Sequence, residues 1–121
     1  MSDIARFEVR FDDEAFAEDL AHATIAGQAV AREARTRIER DGLVPSETRP
    51  CLAEGPDGTS LGGCVKTYLP PPDGRWGLVM RLARAGEKVV LYHLALGVRH
   101  PDRPWQPSVY QVAHGRLHQN L

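Results

Sequence analysis

Lys66 and Tyr68 stand two apart in the run Cys64-Val65-Lys66-Thr67-Tyr68-Leu69. That spacing puts both side chains on one face of a strand. Arg81 follows Leu78-Val79-Met80 and lies opposite Leu78 and Met80, so it joins the same polar face when those two pack inward. Arg99 and His100 close the apolar run Lys88–Val98, where a rigid strand presents side chains to a site. A guanidinium suits phosphate because its planar fork donates two parallel hydrogen bonds. Tyr110 offers a base or an orienting donor, and the first role needs cationic neighbours because a phenol ionises at about pH 10. His114 adds an imidazole near Tyr110, a group that exchanges protons near neutrality. His118 shares a helical face with it, but a zinc site needs a third ligand that is not evident, so no metal is expected. Each residue also has a plainer reading: a solvated cation, an Arg99–Asp102 pair, a sheet-edge tyrosine, idle terminal histidines. Trp76 belongs with Leu78 and Met80 in a core stripe. Trp105, in a loop bounded by Pro104 and Pro107, is the better candidate for stacking on a base or a partner, or for closing over the sheet.

The charge distribution fits a phosphate-bearing ligand only in part. Residues 1–60 hold 7 Lys+Arg and 13 Asp+Glu, a balance of −6, whereas residues 61–121 hold 8 and 3, a balance of +5. Such asymmetry points to an anionic partner for the second half. The net charge of −1 weakens it, because long-range steering follows the summed field. Cys51 and Cys64 are the only cysteines, without a Cys-x-x-Cys spacing, and are expected as free thiols. The first residues carry neither a basic segment nor an apolar run, and no stretch approaches a membrane span. The expected location is the cytoplasm, away from membranes.

The elements that must position these residues can be read from periodicity. The length of 121 residues suits one domain. Phe7–Phe11 alternates apolar and charged residues, the pattern of a short half-buried strand. Asp12 or Asp13 caps a helix whose stripe is Phe16, Leu20 and Ile25; a break near Ala23–Gly27 leads to a second helix over Ala29–Arg40. Residues 43–62, rich in Pro and Gly, read as a long loop. Strands follow at Val65–Leu69, Trp76–Arg84 and Lys88–Val98, the last apolar on both faces and therefore central. The first two are joined by a turn at Pro70–Gly74. Val109–Leu117 closes the chain as strand or helix. The expected fold is α+β, with an N-terminal strand and two helices packed on one face of an antiparallel sheet.

Three stretches together resemble the RelE/ParE family of toxin–antitoxin toxins. They are the strand running into a helix through Phe11-Asp12-Asp13-Glu14-Ala15, the hairpin of Cys64–Leu69 with Leu78–Leu82, and an ending of Gly97-Val98-Arg99, Val109-Tyr110 and Ala113-His114-Gly115-Arg116-Leu117. The resemblance covers most of the chain outside 43–62. It implies a metal-independent endoribonuclease that cleaves messenger RNA, on the ribosome in the ribosome-dependent members, by attack of a ribose 2′-hydroxyl on phosphorus. It also implies a cognate antitoxin as partner. By position, Lys66, Arg99 and Tyr110 match family residues, and Tyr68 falls where some members carry a second lysine. Gly77 stands near a usual arginine, with Arg75 and Arg81 as substitutes. The catalytic candidates are thus Lys66, Arg81, Arg99, Tyr110 and His114, and the substrate-binding candidates Tyr68, Arg75, His100 and Trp105. The longer loops at 43–62 and 100–107 and the neutral net charge depart from the family pattern. They keep a gyrase inhibitor of the ParE branch, or a non-catalytic binding domain, as the alternative. Oligomeric state is open.

Overall fold

The computed structural model describes residues 6–69 and 75–119; the expected Pro70–Gly74 turn lies outside them. Strand β1 (Glu8–Arg10) leads into helices α1 (Asp13–Ala21) and α2 (Ile25–Asp41). Asp12 caps α1 by accepting the Ala15 N–H, and Thr24 caps α2 by accepting the Gly27 N–H. The break between the helices therefore falls at His22–Thr24, ahead of Gly27. Ile25, assigned to the apolar stripe from its spacing, is 87% exposed because it opens the new helix beyond the core.

A short 3-10 turn (Pro45–Glu47) and strand β2 (Arg49–Pro50) interrupt what the sequence presents as one loop. Strands β3 (Cys64–Tyr68), β4 (Trp76–Ala85) and β5 (Lys88–Val98) form an antiparallel meander, and helix α3 (Val109–Leu117) follows. The sheet order is β1-β5-β4-β3-β2. β1 runs parallel to β5, so the sheet is mixed rather than antiparallel throughout. The helical excursion between β1 and the meander permits this, since a parallel neighbour needs a long crossover.

The sheet is covered on both faces, which corrects the one-face expectation. On the first face Trp76, Leu78, Met80, Leu91 and Leu96 pack with Phe16, Ala31 and Ile38 of α1 and α2. On the second, Val79 and Ala95 pack with Val109 and Ala113 of α3 and with Leu61. A bulge opposite Val79/Met80 adds Leu94 to β5, and Leu94 then joins the Ala95 cluster. The closing segment thereby has an apolar surface to cover, and it does so as a helix.

Gly27 has a packing reason. A Cβ there would stand 2.7 Å from Cζ2 of the buried Trp76 and 3.2 Å from Oγ1 of Thr24. Gly27→Ala normally gains about 1 kcal/mol of helix propensity. Here the tryptophan must move, and overpacking costs about 1–3 kcal/mol. The expected net outcome is a destabilisation of roughly 1 kcal/mol by urea denaturation; a stabilised variant would reject the contact.

Beyond Tyr92, β5 outruns the short β1, and side chains take over the bare edge. Asp19 of α1 accepts the Leu96 N–H at 2.9 Å, and Arg116 of α3 donates to the Leu94 carbonyl at 2.9 Å. The two side chains meet at 2.8 Å. His93, fully buried, accepts the Asp12 N–H at Nδ1, so its Nε2 proton is the one given to Asp19 at 3.0 Å. One network thus ties α1, β5 and α3 together.

Candidate functional site

The second face of the sheet carries the candidate chemistry at the end where β3, β4 and β5 present Tyr68, Gly77 and Gly97 side by side. Two facing glycines leave this part of the sheet without side chains. A Cβ on Gly77 would lie 3.0 Å from Cγ and 3.2 Å from Cδ of Arg99. The stem of Arg99 therefore runs across Gly77, and its guanidinium sits 4.1 Å from the centroid of the Tyr68 ring. Gly77 makes room for an arginine that follows directly on the end of β5.

Lys66 reaches the same place from β3, its Nζ 5.1 Å from the Tyr110 ring centroid and 5.8 Å from that of Tyr68. Arg49 of β2, paired with Lys66, lies 5.8 Å from Tyr68 on the same face. Tyr110 enters from the first turn of α3, which Ser108 and Gln111 fix by a reciprocal capping box. Cations stacked on tyrosine faces gain about 0.5–2 kcal/mol each, more where water is excluded. The arrangement holds both tyrosines and all three cations in place before any ligand arrives.

Together with parts of the segments 51–61 and 100–106, Lys66, Tyr68, Arg99 and Tyr110 line a cleft of about 550 Å³. Lys66, Arg99 and Arg103 supply its positive charge, and Asp57 its one carboxylate among the described residues. Asp57 already accepts from the backbone N–H and the hydroxyl of Thr59, fixing the turn that forms the wall. The cleft is therefore set for an anion.

Burial raises the Tyr110 pKa; the charge of Lys66 and the charge and hydrogen bond of Arg99 pull it down without prevailing. Tyr110 is thus a phenol near neutral pH, a donor rather than a base. The sign has consequences. The folded protein holds this proton more tightly than the unfolded chain, so the associated stability is complete below about pH 10 and declines as pH rises past it. In an ultraviolet titration, Tyr110→Phe should remove a phenolate that appears above the ordinary value of about 10, and Lys66→Ala should move it higher still. A Tyr110 ionising below that value would contradict the assignment as donor. Cys51, also in the cleft, is pushed up to about 11, first by burial and then by Cys64 nearby, so it is a thiol and no nucleophile. Both cysteines are free.

Of the residues singled out by sequence, Lys66, Tyr68, Arg99, His100 and Tyr110 line the cleft, and Arg81, His114, Arg75 and Trp105 do not. Arg81 stands further along the sheet and stacks on Tyr92 at 5.4 Å. His114 accepts the Ser60 N–H at 2.9 Å, and His118 meets the Ser60 carbonyl at 3.0 Å. This pair pins the loop wall to α3. Arg75 pairs with Asp102 at 2.9 Å, and its carbonyl accepts the Arg99 N–H, so it braces the strand end. Trp105 is 73% exposed, with Arg103 stacked on it at 5.4 Å. Sequence reading missed Arg103 and Arg49 in the site, for lone arginines in irregular segments carry no periodic signal.

Among the described residues, no helix is long and apolar enough to cross a membrane, and no three or more His, Cys, Asp or Glu residues gather as a metal site. No protein-family model matches the chain, and no curated protein matches it.

Proposed function

We propose that the chain is a metal-independent endoribonuclease of the RelE/ParE toxin type, acting on messenger RNA in the cytoplasm. The observation that carries this reading is the convergence of Arg99, Lys66 and the phenolic Tyr110 on one anion-ready cleft. In the reaction the ribose 2′-oxygen bonds to phosphorus as the bond from phosphorus to the 5′-oxygen breaks. His100, the imidazole in the cleft wall, takes the 2′-hydroxyl proton. Arg99 and Lys66 hold the charge that builds on the phosphate oxygens. Tyr110 gives its proton to the departing 5′-oxygen, and solvent later restores it. A cognate antitoxin covering the cleft would silence the activity, and a ribosome presenting single-stranded message would supply the substrate.

The near-neutral net charge favours a second reading in which the same domain binds a partner such as gyrase without cutting RNA. Transcript mapping after incubation with and without ribosomes, in chelator, separates them. New 5′-hydroxyl ends and 2′,3′-cyclic phosphates support the nuclease. Intact message under both conditions, with growth arrest and DNA damage on expression, supports the binding role and defeats the nuclease.

A further inference from the structure

Behind the rim of the cleft lies a second hollow of about 450 Å³, formed where β2 ends and the last residues of β3 face the C-terminal end of α2. Lys66 and Tyr68 line both hollows. The new one adds Arg6, Arg37 and Arg49, three cations drawn from the half of the chain whose balance is −6. Its two carboxylates are engaged: Asp41 is held by the fork of Arg40 at 2.9 Å, and Glu47 accepts the Val44 N–H at 3.3 Å. Between the hollows stands Tyr68, its ring flanked by Arg49, Lys66 and Arg99 and the residue still 43% exposed.

An exposed aromatic with cations on either side is the arrangement that single strands use, the base stacking on the ring and the backbone following the charge. From this we infer that the second hollow is a continuation of the RNA path: a strand lying in the cleft crosses Tyr68 and runs on over Arg49, Arg37 and Arg6. The inference rests on the reading of the cleft as an RNA site. It also accounts for how a protein of net charge −1 holds a polyanion, since the charge that matters is local and continuous rather than summed.

The test uses the whole protein and uncleavable, fully 2′-O-methylated oligoribonucleotides, one of about 3 nucleotides and one of about 10, read by fluorescence anisotropy across a salt series. The longer strand should bind more tightly to the wild type. Arg6→Ala with Arg37→Ala should weaken it roughly tenfold and lower the salt slope by about 1.4, the loss of two phosphate contacts on a single strand. The short strand should bind both proteins alike. Arg49→Ala alone should lower the slope for the long strand by about 0.7. Equal affinity for both lengths, or a length gain that survives the double variant, overturns the track while leaving the cleft intact. If neither strand binds, or if Arg99→Ala leaves the short strand unaffected, the reading of the cleft falls and the track with it.

Discussion

Arg99→Ala is expected to reduce RNA cleavage by about 10²–10³-fold, the usual cost of losing one preorganised donor to a developing oxyanion. The effect should be large because Arg99 does more than present a charge. Its stem fills the space above Gly77, its head lies on Tyr68, and it donates to the Tyr110 phenol. Removing it takes away the proposed phosphate ligand and loosens both tyrosines. Arg99→Lys should recover little, since an ammonium cannot reproduce the planar fork. Gly77→Ala tests the same geometry without touching the charge. The added Cβ meets Arg99 Cγ at 3.0 Å, so the guanidinium must shift by a few tenths of an ångström and cleavage should fall. Single-turnover cleavage of a defined transcript, with ribosomes if they are required, reads all three. Wild-type rates for Arg99→Ala would remove the nuclease reading.

What was legible in the sequence was what periodicity encodes. The face shared by Lys66 and Tyr68 and the stripe Trp76, Leu78, Met80 follow from alternation, and the interior position of β5, between β1 and β4, from a run that is apolar on both faces. The pairing direction of β1 was not legible, because three residues carry no mark of parallel or antiparallel register. Nor was the second covered face. Val79 and Ala95 look like the outward half of ordinary strands until a bulge at Leu94 and a docked helix bury them. The site divided on the same principle. Strand residues fell where their spacing put them, whereas His114 and Arg75 took structural roles set by loops that fold back from far along the chain. Gly77 shows the limit most directly. Its value lies in a contact with Arg99, 22 residues away, and no local pattern announces it.

The largest effect on stability is expected from Asp19→Ala, about 3–5 kcal/mol, the cost of stranding the partner of a buried charge. Against a total of roughly 5–15 kcal/mol for a domain this is severe, and the thermal midpoint should fall by roughly 10–20 °C. The side chain of Asp19 is 4% exposed and faces Arg116, His93 and the Leu96 N–H at once, so its loss leaves three donors without their acceptor. Replacing both charges tells the pair apart from the edge it serves. Exchanging a buried ion pair for apolar residues is often neutral, yet here Asp19→Leu with Arg116→Met still bares the Leu94 carbonyl and the Leu96 N–H, which cost about 1–3 kcal/mol each when buried and unpaired. The double variant should therefore recover only part of the loss in a denaturant melt; full recovery would mean that the network is an ion pair and not a substitute for the strand that β1 is too short to provide. Because Arg116 and Tyr110 share α3, the same variants should speed amide exchange in that helix and widen the cleft. Cleavage should then fall in step with exchange, which would link the buried edge of β5 to the positioning of the proposed proton donor.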